Sequence, residues 1–106
     1  MEDERIFWVK DQEELELFSK GGRFIIYYSS RDCSVCHSVF PRLMDLLKNI
    51  PIDVGRIDVN ESVKLAGQNL IFSIPSIAIY DDGKEVLRES RFVDFNNIER
   101  VINLMF

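Results

Sequence analysis

The segment that most constrains the fold is RFIIYYSS, residues 23–30, a nearly continuous apolar run. A run of this length is typical of a strand that is covered on both faces, as in a parallel sheet flanked by helices. Gly21 and Gly22 precede it and end the amphipathic segment at residues 11–20. The pattern therefore predicts a central strand with a packed layer on each side.

The remaining segments alternate between strand-like and helix-like patterns. Further strands are predicted at residues 5–9, 53–59, 76–80 and 85–92, and helices at residues 11–20, 34–49, 60–69 and after Asp94. Asp11, Asn60 and Asp94 are the predicted N-caps, and Trp8 is interpreted as a packed aromatic of the first strand. The order β-α-β-α-β-α-β-β-α predicts an α/β fold: a mostly parallel sheet with helices on both faces, closed by a hairpin at residues 81–84. We expect a single domain over residues 1–106.

Charge and hydropathy exclude several classes of partner. The chain has 106 residues and a net charge of −5, and it has no cluster of lysine and arginine. Nucleic acid and membranes are therefore not expected as partners. The acidic N-terminus has no apolar run of signal-peptide length, so a cytoplasmic location is expected.

Both cysteines lie in SSRDCSVCHSVFP, residues 29–41. Cys33 falls where the buried strand gives way to a helix, and the free N–H groups and dipole of a helix N-terminus stabilise a thiolate. Cys36 lies three residues later and so on the same helical face. This spacing predicts that Cys33 attacks a substrate disulfide and that Cys36 resolves the mixed disulfide.

The neighbours of the cysteines have opposing effects. Arg31 would stabilise a Cys33 thiolate, whereas Asp32 would destabilise it, and the sequence leaves the balance open. Ser34 and Val35 separate the two thiols, and His37 follows directly. His37 is interpreted as a solvated residue that points elsewhere on the helix, with an influence on the sulfurs as the alternative.

A haem attachment site is one alternative, because CSVCH matches the pattern C-x-x-C-H. Met44 or Met105 could then serve as a second iron ligand. The alternating α/β pattern disfavours this interpretation, since c-type cytochromes are usually small and helical.

A metal site is the other alternative. A structural zinc ion needs four ligands, and Cys33, Cys36 and His37 are the only nitrogen and sulfur candidates. Iron–sulfur ligation normally needs four cysteines. No metal and no external cofactor is therefore expected.

Three motifs occur along the chain at characteristic spacings. CSVC is followed five residues after its second cysteine by Pro41, and RIDVNES (56–62) and SIPSI (73–77), with Pro75, come later in the chain. Together they resemble the thioredoxin family over essentially the whole chain. The family has a helix-bending proline at the position of Pro41, a third-strand motif similar to RIDVNES, and a cis-proline in the segment similar to SIPSI.

The resemblance implies a thioredoxin-like three-layer sandwich with a mixed central sheet. It also implies a redox-active Cys33–Cys36 pair beside Pro75. A cis bond at Ile74–Pro75 would leave the Ile74 backbone free to pair with an extended substrate, and Arg91 stands about where the family has a small glycine that lines the substrate groove.

Several positions depart from the family pattern. Asp32 stands in place of the usual tryptophan, and Ser34–Val35 in place of Gly-Pro. Tyr27 corresponds to the buried acid that moves protons at the second cysteine, and Arg56 to a common lysine. Tyr27 is interpreted as a core residue, because a phenol is a poor base near neutral pH.

The function that the resemblance implies is thiol–disulfide oxidoreduction on protein disulfides, as a reductant in cell redox homeostasis. Thioredoxin reductase or another thiol donor would supply electrons, and we expect a monomer. The alternative is a thioredoxin-fold adaptor or chaperone-like binding module with little turnover.

Overall fold

Five strands and four helices alternate along residues 3–106, the part of the chain that the computed structural model describes. The strands are β1 (Ile6–Trp8), β2 (Phe24–Ser29), β3 (Asp53–Asp58), β4 (Ser76–Asp81) and β5 (Lys84–Ser90). The helices are α1 (Gln12–Ser19), α2 (Ser34–Leu46), α3 (Val63–Gln68) and α4 (Phe95–Met105). This order confirms the sequence of elements that the pattern predicts.

The strands form one mixed sheet in the order β1-β3-β2-β4-β5. β3 runs parallel to both β1 and β2, and its Arg56 lies beside Tyr27 of β2. β4 runs antiparallel to β2 and to β5, and its first residue, Ser76, pairs with Tyr28 on one side and Ser90 on the other. The end of β2, the start of β4 and the end of β5 therefore meet at one end of the sheet.

All six residues of β2 are buried, as its apolar run predicts, and they alternate between two cores. Ile25 and Tyr27 join the cluster under α2 and α4, which includes Val39, Leu43, Leu47, Ile98 and Ile102. Phe24, Ile26 and Tyr28 join the cluster under α1 and α3, which includes Leu15 and Leu65. The helices thus cover both faces of the sheet in three layers.

Two of the three predicted N-caps are confirmed. The Asp11 carboxylate accepts a hydrogen bond from the Glu14 amide at 2.9 Å, at the start of α1. Asp94 accepts from the amides of Asn96 and Asn97, at 2.9 and 3.2 Å, at the start of α4. Each cap satisfies amides that the first helical turn leaves unpaired.

The predicted Asn60 cap is wrong. α3 begins at Val63, its N-cap position is Ser62, and no side chain caps it. The Asp58 carboxylate instead accepts from the amides of Asn60 and Glu61, at 2.8 and 3.2 Å. A buried acid at the end of β3 therefore organises this loop, and the helix starts later than its composition indicates.

The hairpin between β4 and β5 turns on Asp82 and Gly83, both with positive φ, at 53° and 77°. Two successive positive φ values are typical of the tight turn that suits the twist of paired strands. Gly67, in contrast, lies in α3, and a Cβ added to it would meet nothing within 4 Å. The two glycines thus offer a matched pair of sites for alanine.

We expect Gly83→Ala to lower the free energy of unfolding by roughly 1–2 kcal/mol, because a Cβ disfavours the left-handed conformation. Gly67→Ala should raise it by about 0.5–1 kcal/mol, since alanine is the better helix former. Urea denaturation followed by circular dichroism measures both. A loss of stability in both variants would contradict the assignment of the turn as the source of the difference.

Candidate redox site

Cys33 is the N-cap of α2, and a disulfide joins it to Cys36. The Cys33 Sγ accepts a hydrogen bond from the Cys36 amide at 3.1 Å. Cys33 is partly exposed, whereas Cys36 is 1% exposed. The structure therefore presents one sulfur at the surface, at the positive end of a helix, with the second directly behind it.

Tyr27 is a core residue that contacts the buried cysteine, Cys36. Its side chain is fully buried, and its hydroxyl donates to the Cys36 carbonyl at 2.6 Å. Burial raises the pKa of Tyr27 to about 12, although the nearby Arg56 charge acts in the opposite direction. The phenol thus stays protonated near neutral pH and acts as a hydrogen-bond donor, which agrees with its interpretation as a core residue.

The residues that flank the cysteines face solvent. Arg31 forms an exposed ion pair with Glu61, at 3.2 Å, and Asp32 is exposed. The His37 imidazole is exposed, and its Nε2 lies 2.8 Å from the Arg31 carbonyl oxygen. His37 therefore closes the loop that precedes Cys33. Ser34 and Val35, between the cysteines, are also exposed.

The other predicted site residues lie at the same end of the sheet. The Ile74–Pro75 peptide bond is cis and directly precedes β4, with Ile74 partly buried and Pro75 buried. Arg91 follows β5 with a φ of 68°, and its amide donates to the Pro75 carbonyl at 2.7 Å. Its positive φ takes it out of the strand, so β5 ends earlier than the predicted residue 92.

A further arginine next to the site was not predicted from the sequence as part of it. The Arg56 guanidinium lies 4.5 Å from the centre of the Trp8 ring and 4.0 Å from that of Phe40, with Tyr27 at 5.9 Å. Trp8, expected from the sequence to be a packed aromatic, is 54% exposed and packs on this arginine. The signal in the sequence was a charged residue in the middle of an otherwise buried strand.

Within residues 3–106, the structure contains no group of three or more histidine, cysteine, aspartate or glutamate side chains that could hold a metal ion. No helix within residues 3–106 has both the length and the apolar character to cross a membrane.

Comparison with known families decides the assignment. A family model described as Thioredoxin matches residues 8–104. The chain belongs to the thioredoxin family. Thioredoxin-like protein YdfQ of Bacillus subtilis (strain 168) is 36% identical over 94 residues, which cover 87% of this chain and 84% of that protein. A thioredoxin of Chlamydia pneumoniae is 27% identical over 92 residues, 86% of this chain and 90% of that one.

Solved thioredoxin structures share the fold. A mutant thioredoxin from Halobacterium salinarum NRC-1 superimposes with a TM-score of 0.81 at 22% identity, covering 93% of this chain and 88% of the other. Thioredoxin 1 from Thermosipho africanus gives 0.70 at 31% identity, covering 76% and 91%. Membership of the thioredoxin family, together with the paired cysteines, supports a thiol–disulfide oxidoreductase kind of activity.

Proposed function

We propose that the protein reduces protein disulfides through a reversible Cys33–Cys36 couple, as a reductant in cell redox homeostasis. One observation carries the proposal: the partly exposed Cys33 Sγ caps α2 and accepts the Cys36 amide at 3.1 Å, while Cys36 is buried behind it. This asymmetry supports Cys33 as the nucleophile and Cys36 as the resolving thiol.

The reaction begins from the reduced pair. The Cys33 thiolate attacks one sulfur of the substrate disulfide, and the other substrate sulfur leaves as a thiolate that takes a proton from water. Cys36, after losing its proton to solvent, attacks the Cys33 sulfur and displaces the second substrate thiol. The substrate gains two electrons and two protons, and the chain is left with the Cys33–Cys36 disulfide seen in the structure.

The hydrogen bond at the N-cap assists the first step. In the reduced form the same Cys36 amide would donate to a Cys33 thiolate, and the helix dipole adds favourable potential. The Tyr27 hydroxyl holds the Cys36 carbonyl and so fixes the residue that carries this donor. Arg31, Asp32, Ser34, Val35 and His37 would tune the couple from the exposed rim.

The substrate groove is proposed to run along Ile74, Pro75 and Arg91. Ile74 and Pro75 precede β4 and Arg91 follows β5, at the end of the sheet where β2 ends before Cys33, and a hydrogen bond joins Arg91 to Pro75. We further propose that the protein is a cytoplasmic monomer. Thioredoxin reductase or another thiol donor would return it to the dithiol form. Membership of the thioredoxin family supports this extension.

A thioredoxin-fold adaptor with little turnover is the second candidate. Several apolar side chains are unusually exposed near or beside the proposed groove, which suits lasting capture of one partner. They are Val35 at 53%, Phe72 at 88% and Phe92 at 83%.

Insulin reduction with dithiothreitol as electron donor tests the proposal. We expect the protein to accelerate precipitation of the insulin B chain, and protein alkylated at both thiols with iodoacetamide to have no effect. Titration against glutathione buffers should show a single two-electron transition of the Cys33–Cys36 pair. An unaltered insulin rate with the native protein would reject turnover and favour the adaptor.

A further inference from the structure

The Arg56 guanidinium packs against aromatic rings but forms no ion pair with a carboxylate in the described part of the chain. The Trp8 and Phe40 rings lie 4.5 and 4.0 Å from it. No carboxylate in residues 3–106 lies within ion-pair distance of it, and its buried Nε has no hydrogen-bond partner there. A guanidinium packed by rings and left unpaired is oriented to bind an anion at its free edge.

Arg56 also lines an open cleft. The cleft has a volume of about 470 Å³, and Trp8, Lys10, Arg31, His37 and Arg56 line it. We call it the Arg56 cleft. Arg31 lies two residues before Cys33, and the His37 imidazole contacts the Arg31 carbonyl at 2.8 Å. The loop that carries the nucleophile therefore forms one wall of the cleft.

The charges around the cleft favour an anion. Lys10 is exposed and forms no ion pair within the described residues. Two carboxylates also line the cleft, but Glu61 pairs with Arg31 and Asp58 accepts two backbone amides. Three cationic side chains, Lys10, Arg31 and Arg56, therefore face two carboxylates, so the lining has a net positive charge on a chain whose net charge is −5.

The partial burial of Arg56 also favours binding of an anion. It lowers the pKa of Arg56 from its ordinary value, against a smaller opposing effect of Tyr27. Arginine nevertheless stays charged at neutral pH, so its charge is held with reduced access to water. A carboxylate that enters the cleft would form charge-assisted hydrogen bonds in place of that lost hydration.

We propose that the Arg56 cleft binds an aspartate or glutamate side chain of the disulfide substrate, two or three residues away from the cysteine that Cys33 attacks. Two or three extended residues span about 7–10 Å, and Arg31, which lines the cleft, lies two residues before Cys33. The inference rests on the proposed function and adds a substrate class to it: disulfides with an acidic residue on this side.

A matched pair of peptides tests it. Each has one intramolecular disulfide, and the two differ only in carrying two glutamates or two glutamines at the second and third positions before the first cysteine. The reduced protein should react about tenfold faster with the glutamate peptide, a factor typical of a charge-assisted contact. Arg56→Met and Lys10→Gln should bring the ratio of the two rate constants close to one. Lys48→Gln, an exposed lysine outside the cleft, should leave it unchanged.

A binding measurement keeps the test independent of turnover. Trp8 is the only tryptophan, so the intrinsic fluorescence of the oxidised protein reports on the cleft. Cysteine-to-serine versions of both peptides are titrated, with inorganic phosphate as a separate arm. We expect the glutamate peptide to change the fluorescence, the glutamine peptide to leave it unchanged, and Arg56→Met to abolish the response.

The outcomes separate the two proposals. Equal rates for both peptides in the wild type, or a preference that survives in both cleft variants, would overturn the inference and leave disulfide reduction intact. A response to phosphate without any peptide preference would also overturn it, because the cleft would then take free anions. If neither disulfide peptide reacts, the proposed function fails, and the fluorescence titration alone decides whether the cleft takes a carboxylate. Should Arg56→Met fail to fold, Lys10→Gln carries the same test.

Discussion

Replacing Cys33 by serine is expected to abolish disulfide reduction, with a fall in the insulin rate of roughly three orders of magnitude or more. The reason is the difference in exposure between the two cysteines. Cys33 is the sulfur that is partly exposed at the N-terminus of α2, and a buried Cys36 has no comparable access to a substrate. A serine hydroxyl at this position is not ionised near neutral pH and cannot carry a disulfide.

Cys36→Ser should behave differently. Its Cys33 can still attack, but nothing displaces the bound substrate, so a mixed disulfide accumulates. Non-reducing electrophoresis and mass spectrometry of the intact adduct detect it, and dithiothreitol should release it. Ser38→Ala, which changes an exposed serine two residues after Cys36 in α2, is the matched control and should keep the wild-type rate. An adduct that forms in Cys33→Ser but not in Cys36→Ser would reverse the assigned roles.

Tyr27→Ala is expected to lower the free energy of unfolding by about 3–5 kcal/mol, the usual range for removing a buried aromatic side chain. Its ring is fully buried and packs on Phe40 with ring centres 4.9 Å apart. The substitution would leave a cavity directly beneath Cys36. Small domains have only about 5–15 kcal/mol of stability, so this loss is a large part of the total.

Tyr27→Phe separates the hydroxyl from the ring. It removes only the donor to the Cys36 carbonyl, so we expect a loss of about 1–2 kcal/mol. Urea denaturation measures both variants, with Leu104→Ala as control, because that leucine is 82% exposed on α4 and should change stability by less than about 0.5 kcal/mol. Equal losses in the two Tyr27 variants would show that the ring contributes little.

Local sequence patterns were sufficient wherever short-range physics decides the structure. The run at residues 23–30 predicted a strand buried on both faces because no alternation of polar and apolar residues interrupts it. Asp11 and Asp94 predicted helix starts because a cap needs only a carboxylate and the amides two or three residues later. The spacing of Cys33 and Cys36 likewise predicted two sulfurs on one helical turn.

Features that depend on contacts with neighbouring strands or loops could not be predicted from local sequence patterns. Asn60 does not cap α3, because Asp58 takes the amides of that loop. Trp8 is not in the core, since β1 is a three-residue edge strand whose tryptophan covers Arg56. The contact between Arg56 and Tyr27 arises from the register of β3 on β2, which no local spacing contains.

The two edge strands of the sheet, β1 and β5, affect the tendency of the protein to aggregate at high concentration. An outer strand offers unpaired backbone groups that could template fibril-like stacking of copies. β1 has only three residues, and four of the seven residues of β5 are charged: Lys84, Glu85, Arg88 and Glu89. Both borders are therefore poor templates for aggregation, and neutralising the charges on β5 should make concentrated solutions less stable against precipitation.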